Sequence, residues 1–522
     1  FSMAYFACAL ILTMASLSSA TANWCESLDD SSSNHAMGIT QKAKDILLGG
    51  ESAPFVRYSD GVFATTVSSE SGQDNGGATN TDGFYQGAYL PGYEVLPKGM
   101  CDLSACVNTS VQTCHDRCDP GTDKGWAMSL TMGYSDVLVM TGCTPPPVKY
   151  YSYDTYISTR ITEEYPFYPG QNFGTPISLS NIKLQGDEFF LQPVVIIQSA
   201  DSVAANAVKA AYIEAGFSEE SINIRGIDVD TVRLWDRTKN GGDNWQETAP
   251  DILFTISRVS VPEGKDDGDL QKYQKVTWPV LMLFANDTIS APMKPMSPPI
   301  APRTSPDILN EVEVHGTSVE ELQKSIVDEC ATQGYSLVAD TSLDTDLIGF
   351  YDDWAQVLAL KNNDSFVVGT RDATYGLPMV VSGDDVVLTT GSRAVVFGVI
   401  KTGEKSLKLR YSQVNLALEN WLTGNVLDTM SFMEDETLKG SAQRYMSNQG
   451  DDSLLYAVDF RQAGECGEQE EAYCLEFDNK VVHRVTIAMI LGSRMYQQLD
   501  TGLGPPANTT IAAHALYFQK TA

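Results

Sequence analysis

The chain is 522 residues long and carries 35 Lys and Arg against 67 Asp and Glu, a formal net charge of −32. That balance excludes nucleic-acid binding by bulk electrostatics, because phosphate neutralisation needs Lys and Arg, and it excludes general attraction to an anionic membrane surface. With 20% charged and 43% hydrophobic residues the composition predicts a sizeable core rather than disorder, and the length predicts two domains.

Residues 4–17 are apolar or small and lead to Ala20-Thr21-Ala22, which has the small-x-small form of a signal-peptidase site. The expectation is a signal peptide over 1–22, cleavage after Ala22, and a secreted, extracellular mature chain. Residues 1–22 hold no charge, so the whole −32 belongs to that mature chain. Phe1 in place of Met, with no basic stretch behind it, places further residues upstream. No other apolar run approaches the length of a membrane span, so none is expected in the mature chain.

Ten cysteines are present, and Cys8 leaves with the signal peptide. Cys101, Cys106, Cys114 and Cys118 sit in a polar stretch, and Cys466 and Cys474 bracket a Gly/Glu segment. In an oxidising compartment these are disulfide candidates. The spacing of the first four does not fit paired zinc knuckles, so no metal site is expected. An odd count leaves one thiol over. Cys330 is the candidate, because Val319, Leu322, Ile326 and Cys330 share one helical stripe. Sequons at Asn108, Asn286, Asn363 and Asn508 fit a secreted glycoprotein.

In chain order, residues 23–95 read as an irregular N-terminal segment with one short helix over Thr40–Leu48. Residues 96–290 read as a disulfide-stapled α/β domain. Val137–Met140 and Val194–Ile197 are apolar runs of the kind buried on both faces of a sheet. Ser202–Ala215 reads as a helix capped by Asp201 or Ser202 and stopped by Gly216. Ile222–Val229 follows as a strand, and the resulting β-α-β unit implies a mixed, partly parallel sheet with helical cover. Ile252–Val261 and Val280–Phe284 are further strands.

Residues 291–306 hold six prolines in sixteen positions and read as a stiff, extended linker. Residues 307–522 read as a β-rich α+β domain. Thr317-x-x-Glu320 is a capping box predicting a helix that stops near Gly334. Phe366–Gly369, Val386–Thr389, Ala394–Ile400, Leu454–Phe460 and Val482–Leu491 read as strands. Lys401-Thr402-Gly403-Glu404 reads as a hairpin turn, and a parity switch predicts a bulge near Ser412-Gln413.

The run Thr141-Gly142-Cys143-Thr144-Pro145-Pro146-Pro147, followed by Tyr151, Tyr153 and Tyr156, resembles a segment of uncharacterised secreted proteins of microalgae and some bacteria. The layout of Ala394–Thr402, a strand entering a hairpin, is also similar. The resemblance reaches across residues 130–522 in outline. That family has no established activity, so the resemblance implies a microalgal source and no catalytic residue.

The chain lacks a nucleophile elbow, a zinc-protease motif, phosphate-binding glycine loops and an EF-hand loop. Its densest chemical feature is residues 149–173, where eight Tyr or Phe are interleaved with Asp154, Arg160, Glu163 and Glu164. Aromatic faces with a few polar groups suit sugar rings, and Tyr151, Tyr153, Tyr156, Arg160 and Arg258 are the candidate ligand-binding residues. A tyrosine layer packing on the sheet is the competing reading. Arg160 with Arg258 could hold a carboxylate or sulfate.

Two functions follow as expectations. The first is an extracellular or cell-surface binding or matrix protein for glycan or cation, with no cofactor beyond diffuse Ca²⁺. The second is a secreted hydrolase or lyase acting on an acidic polysaccharide through paired carboxylates, with Asp154, Glu163 and Asp201 as catalytic candidates.

Overall fold

The computed structural model describes residues 23–49, 54–65, 83–91, 126–161, 166–167, 171–236, 238, 249–262, 268–286, 291–301, 309–340, 373–376, 379–380, 391–402, 406–420, 425–446, 454–462, 464–466, 473–477, 487–506, 509–511 and 513–521. The expected signal peptide, Cys101 to Cys118, Glu163, Asn108, Asn363, Asn508 and the strands at 366–369 and 386–389 lie outside the described residues. The fold is mixed α/β and mostly sheet.

The first large sheet consists of strands β1 (Phe55–Thr65), β2 (Gly83–Pro91), β3 (Val137–Cys143), β4 (Val148–Ile161), β5 (Pro193–Ser199), β6 (Ile222–Gly226), β7 (Ile252–Pro262) and β8 (Trp278–Ala285), with helix α1 (Asp30–Leu48) packed on it. Its order is β6-β5-β3-β8-β1-β2-β7-β4, with short strands added along the β4 side. β5 and β6 are parallel, joined through helix α2 (Ser202–Glu214), as the β-α-β reading requires. The other pairs among these eight strands are antiparallel.

The alternation of apolar residues builds two layers. Val139, Ile197 and Leu281 point outward, where Ala43 and Leu47 of α1 and Ala205, Val208 and Tyr212 of α2 cover them. Met140, Ile196 and Val280 point the other way and meet Phe63, Ala88, Tyr153 and Leu253 from the far strands. A small cavity at the centre is lined from β1, β2, β3, β4, β5, β7 and β8 alike, so the sheet curls nearly closed upon one core. Each fully buried Leu, Ile, Val or Phe here adds about 1.5–3 kcal/mol of hydrophobic stabilisation.

Three expectations are corrected in this half. The described parts of residues 23–95 are regular: α1 lies on the sheet and β1 sits in its middle, between β8 and β2. The pattern hid β1 because Ser59, Asp60 and Gly61 interrupt its apolar residues. α1 begins ten residues before Thr40. Asp29 caps it, accepting from the Ser31 amide at 2.9 Å. Its Ser-rich first turns, poor in intrinsic propensity, are held by tertiary bonds: Ser32 Oγ donates to the Trp24 carbonyl and Ser33 Oγ to the Thr277 carbonyl, both at 2.6 Å. The proline-rich segment is not free over 291–301: Met296 N donates to the Ala200 carbonyl at 3.1 Å and Thr175 N to the Pro299 carbonyl at 2.9 Å.

The remaining chain forms two five-stranded sheets. One orders strands β9 (Tyr335–Asp340), β16 (His514–Lys520), β10 (Ser392–Val399), β13 (Leu455–Gln462) and β14 (Cys474–Phe477). The other contains β11 (Leu409–Asn420), β12 (Asn425–Glu434) and β15 (Ile487–Gln498) with the short pieces Ala373–Gly376 and Met379–Val380. A third helix, α3 (Gly268–Lys275), precedes β8, and α4 (Glu311–Thr332) packs Val319, Leu322, Ile326 and Cys330 onto Val395, Phe397 and Phe518. Gly334, at φ +82, ends α4 in the left-handed conformation that suits glycine.

α4 opens at Asn310, whose side chain accepts from the Glu313 amide, so the capping box at Thr317 lies inside the helix. β10 and β11 do not form the expected hairpin. β10 pairs β13 and β16, whereas β11 pairs β12 and β15, so the two strands flanking 401–404 belong to different sheets; Gly403 and Glu404 lie outside the described residues. The register of β11 breaks at Val414/Leu416, two residues beyond the expected bulge. β15 docks back on the first sheet: the Tyr496 ring lies 4.4 Å from that of Tyr150, and Gln497 Nε2 donates to Ser178 Oγ at 2.7 Å.

Disulfides join Cys25 to Cys143 and Cys466 to Cys474, and Cys330 is a buried free thiol. The second bridge and the free thiol match the expectation. The first was missed, because its cysteines are 118 residues apart. It fixes the chain just before α1 to the end of β3. Replacing Cys25 and Cys143 together by Ser should lower the unfolding free energy by about 3–5 kcal/mol, the scale for closing so long a loop, and an unchanged denaturation midpoint would contradict this role.

Candidate functional site

β4 carries the tyrosine cluster, and its pleat splits that cluster between two faces. Tyr151, Tyr153 and Ile157 enter the core of the curled sheet, while Tyr156 packs on Phe254 and Ile256 on the other face. Tyr151, Tyr153 and Tyr156 are 0%, 2% and 0% exposed, which leaves no ring face for a sugar to stack upon. Tyr151 Oη donates to the Phe189 carbonyl at 2.8 Å, and the Tyr156 and Phe254 rings stack at 5.1 Å. Burial pushes the Tyr151 and Tyr153 phenols above their usual range. The cluster packs as a layer of the sheet.

Asp154 lies in one of the gaps where the far edge of β4 has no paired strand among the described residues. Short strands pair with that edge at Ser152/Tyr153, at Tyr156/Ile157 and at Arg160/Ile161. In the gap, side chains take over. Arg225, from β6 at the opposite end of the sheet, ion-pairs with Asp154 and donates to the Tyr153 carbonyl at 3.3 Å. Asp154 also accepts from Asn172 Nδ2 at 3.1 Å and from the Thr155 amide at 2.8 Å. Beside it, Thr155 Oγ1 donates to Gln198 Oε1 of β5 at 2.5 Å, and Thr255 lies 3.0 Å from Thr155. The Arg225 guanidinium sits 5.4 Å over the Phe173 ring. Asp154 and Arg225 are 0% and 1% exposed in their side chains. The adjoining cavity, near Gln198 and Thr255, is about 10 Å³, room for about one water and not for a sugar.

The other candidates have separate partners. Arg160 makes a bidentate pair with Asp251, Nε to Oδ1 at 2.8 Å and Nη2 to Oδ2 at 2.6 Å, and Nη2 also reaches the Thr231 carbonyl at 2.7 Å. Arg258 lies over the Tyr156 and Tyr85 rings at 5.2 and 5.9 Å. Asp201 is the N-cap of α2, accepting from Val203 N at 3.0 Å, and it also takes Ser135 Oγ at 2.6 Å, Met293 N at 3.0 Å and Lys294 N at 3.1 Å. Asp154, Arg160, Asp201 and Arg258 therefore sit in four separate sets of contacts rather than in one cleft.

The densest ionic cluster escaped the sequence reading. Arg393 of β10 and Arg461 of β13 stand directly opposite each other, an arrangement that repels. Asp459, buried and two residues from Arg461, reconciles them: its Oδ2 meets Arg393 Nη2 at 2.7 Å and Arg461 Nη2 at 2.5 Å. Its Oδ1 meets Arg444 Nη2 at 3.0 Å and the Tyr445 hydroxyl at 2.9 Å. Arg393 Nη1 donates to Gln333 Oε1 at 2.7 Å, at the C-terminus of α4, where a cation is favoured. Burial pushes the nearby Cys330 thiol up to about 11, which keeps it unreactive near neutrality. The one available sign was the charged pair Asp459 and Arg461 at strand spacing in an otherwise apolar run. Among the described residues, no group of three or more His, Cys, Asp or Glu is placed to hold a metal.

No protein-family model matches the chain, and no curated protein matches it. Among solved structures it is similar to an uncharacterised protein from Burkholderia cenocepacia, at 12% identity and a TM-score of 0.35 over 93% of this chain and 87% of that one. It is also similar to a protein from Vibrio parahaemolyticus, at 11% identity and a TM-score of 0.33 over 76% of this chain and 87% of that one.

Two predictions follow from these contacts. Arg160→Ala strands Asp251 as a buried charge and should destabilise the fold by about 3–5 kcal/mol in a denaturation experiment; native stability would show the pair to be dispensable. Asp201 is desolvated by burial, but the bonds from Ser135, Met293, Val203 and Lys294 outweigh this and hold its pKa below the usual 3.8. A lowered carboxyl pKa adds stability above the ordinary value and loses it as pH falls through the folded one. The stability gap between wild type and Asp201→Asn should thus be full at neutral pH and close as pH drops below 3.8; a gap independent of pH would contradict it.

Proposed function

We propose that the chain is an extracellular binding or matrix protein that meets its ligand, a glycan or a cation, on its acidic outer surface. The observation that carries this reading is the fate of the buried charges. Asp154, Asp251, Glu311 and Asp459 are matched by Arg225, Arg160, Lys401, Arg393, Arg444 and Arg461. These pairs take up more cations than acids, so the acidic excess of the chain lies outside them. A surface of that sign attracts cations diffusely and repels anionic polymers.

Two further facts support the setting. The described disulfides fit an oxidising compartment, and no described helix is long and apolar enough to cross a membrane. Asn286, the one sequon within the described residues, is exposed at the end of β8, where a glycan would meet no steric obstacle from its own burial. The hydrolase reading loses support from the buried pairing of Asp154 with Arg225, since the side chains are 0% and 1% exposed and the adjoining cavity has no room for a sugar.

The test is a calcium titration by calorimetry, a glycan array and a reducing-sugar assay on acidic polysaccharides. Expected are several weak calcium sites of about millimolar affinity that vanish at high ionic strength, and no sugar release. Saturable sugar release would overturn the proposal in favour of the hydrolase.

A further inference from the structure

The carboxyl ends of β5 and β6 form the edge at which the crevices of α/β sheets open. In this chain that edge is occupied by residues 293–301. Their attachment converges on three consecutive residues that follow β5. Asp201 takes Met293 N on Oδ2 and Lys294 N on Oδ1. Ser202 donates its amide to the Lys294 carbonyl at 2.9 Å and its hydroxyl to the same oxygen at 3.2 Å. Ala200 accepts from Met296 N. Beyond them, Ser297 Oγ donates to Asp228 Oδ1 at 3.0 Å, and Thr175 holds Pro299 and Ala301.

The attachment is mostly polar, and its apolar burial is confined to Pro298, which packs against Gly174, and part of Met296. Met293 is 66% exposed and Ile300 49%, and Met296 only partly joins the core under α2. Pro295, Pro298 and Pro299 bring no amide to the edge and hold the segment extended, so it gains little conformational freedom on leaving. A segment bound by a few polar contacts, beside a sheet bound by a large core, opens at a lower free energy than that sheet.

We propose that residues 293–299 are a releasable strap over the ends of β5 and β6, and that the Asp201 carboxylate is its clasp. The strap lifts while the sheet stays folded, and lifting it uncovers the edge beside Gly226, whose α-carbon now lies too close to Ser297 for any side chain.

Amide hydrogen exchange on the intact protein tests this at neutral pH. In wild type under low urea, the amides of Met293, Lys294 and Met296 should exchange through an opening insensitive to urea, whereas those of Ile196 and Ile197 should follow global unfolding. Asp201→Asn keeps an oxygen for the α2 cap but turns an N–H toward Met293. Exchange of the strap amides should rise about tenfold, the scale of one charge-assisted hydrogen bond, through an opening that stays insensitive to urea, while Ile196 and Ile197 keep the urea dependence of global unfolding. Strap amides that share the urea dependence of β5 in wild type would overturn the proposal. So would strap exchange in Asp201→Asn that stays at the wild-type rate, or that takes on the urea dependence of β5. The urea experiment needs no variant and decides the matter even where Asp201→Asn fails to fold.

Discussion

The large sheet depends on a seam. Curling it onto a single core brings β4 and β6, its two ends, face to face without a backbone ladder between them. Unpaired strand edges in a water-poor interior are costly, because every buried amide and carbonyl needs a partner. Arg225 answers this by crossing the seam to the Tyr153 carbonyl and the Asp154 carboxylate, while Gln198 reaches Thr155 one step away. Asp154 in turn supplies the acceptor for the Thr155 amide. Side chains here do what a further strand would do.

The same device recurs. Asp251 secures Arg160 near the end of β4, Glu311 secures Lys401 where α4 begins, and Asp459 secures opposed arginines between β10 and β13. Each acid sits where backbone pairing ends or where like charges meet. At these sites each buried acid is met by one or more cations, so they take up no net share of the acidic excess. Asp201, fully buried, is satisfied instead by neutral donors, the Ser135 hydroxyl and three amides.

Elements with one dominant periodicity were legible in the sequence. β3, β5 and β8 are continuous apolar runs, and α2 has an Asp cap and a Gly stop, so local chemistry and tertiary environment agree. The parallel β5-α2-β6 unit followed from them. α1 and β1 were not legible, because buried serines and a Ser-Asp-Gly interruption satisfy themselves through contacts far along the chain. The turn at 401–404 has hairpin chemistry, but each flanking strand found better partners elsewhere.

For the candidate site the division is sharper. The sequence by itself determined that aromatic and charged residues concentrate on β4, that an acidic excess must be carried somewhere, and that Cys330 would be left over in an apolar stripe. Only the tertiary structure decided that Tyr151, Tyr153 and Tyr156 are core, and that Asp154, Arg160 and Asp201 hold the fold together. Their partners, Arg225, Asp251 and the 293–294 amides, lie 71, 91 and about 92 residues away. Periodicity reports which face a residue occupies, and it carries no information on what that face meets once the sheet has curled.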